Sequence, residues 1–124
     1  WLDIKEAILD IHDGAVVQIL RGGLLQNAEV KLHRGGELSF ESAADSLVEV
    51  AVSDNTKIEV RDRGSFRLGV LSVITVHNCS LHIHGPAVLS GHILLQGSNS
   101  SFQLANTTTL SSTSSIQGDG VVHI

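Results

Sequence analysis

Shifting this chain against itself by about 21 residues lays its apolar positions over one another, the mark of a repeat architecture. Ile4 falls on Leu25, Leu9 on Val30, Ile11 on Leu32, Val17 on Leu38 and Ile19 on Phe40. Around these positions apolar and polar residues alternate, as in "LDI", "VKL", "LSF", "IEV" and "FQL". Alternation with period two marks a strand with one buried face. Convincing helical spacing is found in no stretch of the chain. A fixed self-similar period of this length indicates a solenoid, in which each repeat buries its apolar face only against its neighbours. Three short strands per repeat predict three walls, each stacking its inward residues into a column. One such column is Ile11, Leu32, Val60, Ile83 and Leu104; another is Ile19, Phe40, Leu68, Leu89 and Leu110.

The turns keep the same register. Ala15, Gly36, Gly64, Gly85 and Asn106 recur just before the third strand of successive repeats. Glycine and asparagine tolerate positive φ, so the expectation is a stacked left-handed corner. A sandwich has no reason to hold these residues in register, and the strict six-residue rhythm of a left-handed hexapeptide helix is missing. Crossovers between parallel strands are overwhelmingly right-handed. The fold class is therefore all-β: a right-handed parallel β-helix of five to six coils and three parallel sheets, occupying residues 1–124 as one segment. Residues 41–57 read as an insertion that lengthens the third coil into a loop. In "VLSVITV", residues 70–76, either alternate set can face inward.

Charge is distributed unevenly. Twelve of the thirteen carboxylates and all eight Lys and Arg lie at or before Arg67; beyond it only Asp119 is charged. Residues 98–115 hold eleven Ser or Thr in eighteen, yet Phe102, Leu104 and Leu110 keep the strand alternation. That predicts ordered strands with hydroxyl-rich outer faces rather than a linker. A net charge of −5 argues against a phosphate-tracking surface, so no nucleic-acid partner is expected. No apolar run is long enough to span a membrane, and none is expected to insert. Cys79 is the only cysteine, so no internal disulfide is possible; it reads as a small buried hydrophobe.

These repeats resemble the right-handed parallel β-helix class shared by pectate-lyase-like enzymes, surface adhesins and large extracellular proteins. The resemblance covers the whole chain as an architecture. It implies either polysaccharide cleavage or a structural and binding role, and the residues decide between them.

The outward positions of the second wall place five of the seven histidines together. One outward column reads Asp10, Lys31, Glu59, His82, Gln103, His123; the other reads His12, His33, Arg61, His84, Ala105. His82 and His84 are the nearest approach to a metal site. A structural metal needs three or four converging ligands, and Arg61 is expected beside His84, so no metal and no cofactor is expected. Stacked His12 and His33 should resist simultaneous protonation. Hydrolysis of a glycosidic bond needs two carboxylates facing one cleft. The outward carboxylates alternate instead with basic groups, leaving Asp54, Asp62 and Arg61 as the best catalytic candidates. No phosphate loop or activated nucleophile motif is present.

The expectation is thus a non-enzymatic extracellular module, a rigid spacer or adhesive stalk. The alternatives are a carbohydrate-binding module and a truncated polysaccharide-cleaving enzyme. Its partners are adjacent coils of its own protein or end-to-end copies, because "WLDI" and "VVHI" offer no cap, with glycans as a further partner. Asn78, Asn99 and Asn106 each begin an Asn-X-Ser/Thr acceptor pattern. All three lie in the uncharged half, where sugars would supply solubility.

Overall fold

The computed structural model describes residues 1–42, 46–105 and 107–124. Among the described residues all regular structure is strand. The first coil holds β1 (Leu2–Lys5), β2 (Ile8–Ile11) and β3 (Val16–Ile19). The second holds β4 (Gly22–Gln26), β5 (Glu29–Leu32) and β6 (Glu37–Phe40). The third holds β7 (Val48–Val52), β8 (Thr56–Val60) and β9 (Ser65–Leu68). The fourth holds β10 (Ser72–His77), β11 (Ser80–His84) and β12 (Ala87–Leu89), and the fifth β13 (His92–Gln96), β14 (Ser101–Leu104) and β15 (Thr108–Leu110). A sixth begins with β16 (Ser115–Gly118) and β17 (Val121–His123).

Every third strand pairs with the next in parallel, which gives three walls: β1-β4-β7-β10-β13-β16, β2-β5-β8-β11-β14-β17 and β3-β6-β9-β12-β15. The molecule is a parallel β-solenoid of about six coils.

The alternation explains the core. Strands of four or five residues place two or three side chains inward, and those stack on their neighbours across the coils. On the third wall the column runs Ile19, Phe40, Leu68, Leu89, Leu110, each opposite the next. Phe40, Leu68 and Leu89 are at most 1% exposed, whereas Leu110 is 47% exposed because β15 is the edge strand of its sheet. Phe40 meets Phe66 edge-on, with ring centroids 5.9 Å apart, a favoured aromatic geometry. On the first wall the ambiguous stretch resolves with Ser72, Ile74 and Val76 inward. A serine is tolerated there because its hydroxyl donates to the Phe40 carbonyl at 2.7 Å.

Three expectations are corrected. The second-wall column does not run from Val60 to Ile83. Ile83 stands opposite Ile58, and His84 opposite Glu59. The cause is a shortened corner: eight residues lead from Ile58 to Phe66, but only four from their partners Ile83 and Ala87.

The expected loop over 41–57 contains β7 and the first two residues of β8. Most of the added residues fall in 41–47, of which 43–45 lie outside the described residues, and one more in the turn between β7 and β8. They lengthen the step between the second and third coils, so that Val30 faces Ile58 rather than Ala51.

The third correction concerns the corner. Positive φ falls on Asp13 and Gly14, on Arg34 and Gly35, and on Asp62 and Arg63, which precede the positions read from the repeat. Gly36 and Gly64 are needed for a different reason. A Cβ on Gly64 would stand 2.6 Å from the Leu32 carbonyl oxygen, and one on Gly36 2.6 Å from the Ile11 carbonyl carbon, each on the preceding coil. Gly85 meets both demands, with φ +114 and the Val60 carbonyl against it. Ala15 keeps its Cβ because it precedes edge strand β3. Asn106 lies outside the described residues.

Candidate functional site

The outer face of the second wall gathers carboxylates, basic groups and five of the seven histidines. Its true columns follow from the shortened corner. The first is Ile8, Glu29, Lys57, His82, Gln103 and His123. The second is Asp10, Lys31, Glu59 and His84. Arg61, whose N–H donates to the Leu32 carbonyl, stacks beyond His33 rather than beside His84. Unlike charges are thus neighbours both along each strand and between coils.

The contacts bear this out. Glu59, whose side chain is only 18% exposed, lies 3.7 Å from Lys57 Nζ and 3.4 Å from Arg61 Nη1. Lys31 Nζ is 3.8 Å from Glu29. On the third wall Arg67 is 3.8 Å from Glu41. Exposed pairs of this kind contribute little to stability individually, but they cancel the wall's charge locally.

The two stacked histidines are each matched with a carboxylate. His33 Nε2 is 2.6 Å from Asp10 Oδ1, and His12 Nδ1 is 2.7 Å from Asp13 Oδ2. The rings stand 5.4 Å apart. Each ring of the stacked pair thus has a carboxylate beside it. The hydrogen bond from His33 holds the Asp10 carboxyl below the usual carboxylate value of 3.8.

His82 and His84 meet edge-on, with ring centroids 5.5 Å apart. Burial lowers the His82 pKa from its ordinary 6.5, helped by His84 and Lys57. Among the described residues no three His, Cys, Asp or Glu side chains converge as a metal site would require. The two rings project from a flat strand face, and Glu59, the carboxylate opposite His84, is held between two cations.

Asp54 and Asp62 flank β8, Asp54 in the turn before Thr56 and Asp62 in the corner after Val60. Five residues of strand separate them, about 16 Å at 3.3 Å per residue. A glycosidase pair lies within about 5–9.5 Å, so these two are not brought together. Arg61 is held by Glu59.

Of the glycan acceptors, Asn78 occupies the corner between the first and second walls with φ 47 and is exposed. Its backbone N–H donates to the Ser100 hydroxyl at 2.9 Å. Asn99 is exposed in the turn between β13 and β14. Asn106 lies outside the described residues. Cys79 is buried, its thiol donating to the Val52 carbonyl at 3.3 Å, and burial raises its pKa.

One feature was missed in the sequence. Where the first wall turns into the second, an open groove of about 530 Å³ crosses four coils. Small residues at the corner, Ala7, Ala28 and Thr56, leave the concavity. Polar side chains line it: Glu6, Asn27, Glu29, Asn55, Lys57 and Ser80, with His82 at one end. Asn55 Oδ1 accepts from both the N–H and the hydroxyl of Ser80, at 2.9 and 3.1 Å. The recurrence of Asn27 and Asn55 was the available signal, but the residues added at 41–47 fall between them and break the period.

No protein family, no curated protein and no solved structure matches this chain.

Proposed function

We propose that this chain is a rigid spacer module of an extracellular protein rather than part of a pectate-lyase-like enzyme. The observation that carries this reading is the way the charged side chains are used. On the second wall Lys57, Glu59 and Arg61 pair with one another, as do Lys31 with Glu29 and His33 with Asp10. Groups engaged this way brace strands and coils. Beneath them a core column runs through Val30, Ile58, Ile83 and Leu104 from coil to coil, so bending the axis would open packed side chains. The neighbours of such a module are further coils of its own protein. The exposed turns at Asn78 and Asn99 support a secretory setting, since glycans there would project from corners without touching the core.

The spacer reading has a direct test. Asp3 and Gln117 lie on one outward column of the first wall, through Leu24, Ala51, Thr75 and Leu94. Five steps of about 4.8 Å separate them by about 24 Å. Dyes on cysteines at those two positions, with Cys79→Ser, should give one narrow distance near that value. A flexible chain of that length would spread around about 60 Å, and that result would end the reading. Beads coated with the protein should show no more retention on extracellular matrix than bare beads. Retention lost on replacing Lys31, Glu59 and His84 by Ser would make it an adhesin instead. Passage through a eukaryotic secretory pathway should add hexoses to the intact mass; unmodified material would remove the support that the acceptor sites lend.

A further inference from the structure

We propose that the groove between the first and second walls binds an uncharged oligosaccharide laid along the solenoid axis. The spacer reading does not require this, and either can fail alone.

The backbone argues first. Three of the four second-wall strands at the groove, β5, β8 and β11, lie inside the sheet, with their N–H and C=O groups paired to the coils on either side. A peptide that recognises proteins by adding a strand needs a free edge; only β2, at one end of the groove, has one, and a strand added there would lie across the solenoid axis and leave the other three coils of the groove empty. A ligand held here must be gripped by side chains, so it must bring its own dense set of donors and acceptors.

The side chains argue next. Amides, which both donate and accept, and carboxylates, which accept, line successive coils with one ammonium and one hydroxyl: Glu6, then Asn27 and Glu29, then Asn55 and Lys57, then Ser80. The two bonds from Ser80 fix the Asn55 amide with its oxygen towards the fourth coil. Its two Nδ2 hydrogens are then left for another acceptor. The spacing is that of the coils, about 4.8 Å, close to the advance of one sugar ring in an extended chain. Four coils span about 14 Å, enough for a short run of rings.

Charge selects the class of sugar. Of the side chains that line the groove, Glu6 and Glu29 are carboxylates and Lys57 is the one ammonium, itself 3.7 Å from Glu59; Lys31, 3.8 Å from Glu29, stands outside the lining. A polyuronate or sulfated glycan would set its anions against two carboxylates with one shared cation to offset them. Nucleic acid is disfavoured for the same reason.

The test is an amide-resolved NMR titration of the full chain with neutral oligosaccharides (xylo-, manno- and cello-hexasaccharides), an oligogalacturonate, a chitosan oligomer and an extended peptide. At least one neutral sugar should give saturable shifts confined to residues 6–8, 27–29, 55–57 and 80–82. Asn27→Gly keeps the positive φ of 47 at that position while removing the amide, and should weaken binding at least about fivefold. Glu37→Gln, exposed on the third wall and outside the groove, should leave a neutral sugar bound, and unchanged shifts elsewhere will show that both variants fold. The proposal is overturned if no neutral sugar saturates, if shifts map to another wall, or if Asn27→Gly binds as the parent does. Tighter binding of the oligogalacturonate, the chitosan oligomer or the peptide in this groove would also overturn it.

Discussion

Replacing Gly64 by alanine probes why the corner glycines are there. The added Cβ would stand 2.6 Å from the Leu32 carbonyl oxygen, 2.8 Å from its carbon and 3.1 Å from the Arg61 oxygen. Close carbon–oxygen contacts in packed backbone begin near about 3.3 Å, so the two coils must part by roughly 0.7 Å. The Arg61 N–H donates to that Leu32 oxygen at 2.9 Å, and the Gly64 N–H to Arg61 at 2.9 Å. Lengthened by that amount, the first bond no longer counts as one. Losing it costs about 1 kcal/mol, and leaving its buried groups unpaired adds about 1–3 kcal/mol. Gly64→Ala should therefore destabilise by about 3 kcal/mol.

Gly14 is the control. Nothing lies within 4 Å of its Cβ position, but its φ is +74, so alanine there costs only the conformational penalty of about 1 kcal/mol. Urea unfolding of the parent and both variants, with slopes compared, reads the difference directly. Equal losses, or a larger loss for Gly14→Ala, would refute the close-approach argument and restore a conformational one.

Other substitutions address separate parts of the account. Arg63 holds φ 65 where the first two coils have Gly14 and Gly35; Arg63→Gly should stabilise by up to about 1 kcal/mol in the same assay, and a clear loss would show that its side chain matters more than its backbone. The Ser100 hydroxyl accepts from Asn78 and donates towards Gln96 and Val76, so Ser100→Ala should cost about 1–3 kcal/mol; a neutral result would mean that the corner re-forms without it. Because the folded Asp10 pKa is lowered, its stabilisation is present above the ordinary value of 3.8 and lost as pH falls through the folded value. Thermal melts of Asp10→Asn and parent should converge in acid and separate towards neutral pH; a gap constant with pH would contradict that.

The fold was legible because burial imposes a period on the sequence. Wherever successive coils are equal in length, as for Ile19 over Phe40 or Leu68 over Leu89, apolar residues recur and the columns could be read directly. The slip at Ile83 could not be read. A shift of two residues leaves every side chain on the same face, so Ile58 and Val60 are equally good partners by pattern. What decides is the length of the Gly85-Pro86 corner, a tertiary matter.

The positive-φ pairs were misplaced for a related reason. Glycine answers two demands, and the periodic glycines serve close approach while Asp13, Arg34 and Asp62 take the left-handed conformation without being glycine. The histidine wall was legible as a cluster, but its ion partners were not, since His33 reaches diagonally to Asp10 of the neighbouring column and Asp13 beside His12 sits in a left-handed corner. The groove needed all four coils correctly stacked before it existed at all.

The central claim is the stacking itself, and nuclear Overhauser contacts between backbone amide and Hα protons measure it most directly. Parallel contacts are expected between the first two coils, as between Val17 and Leu38. On the second wall they should link Val30 to Ile58 across the longest step, Ile58 to Ile83 across a shorter one, and Ile83 to Leu104 where the original period returns. Close Hα–Hα contacts in antiparallel order between neighbouring strands, or a contact of Ile83 with Val60 in place of Ile58, would contradict it.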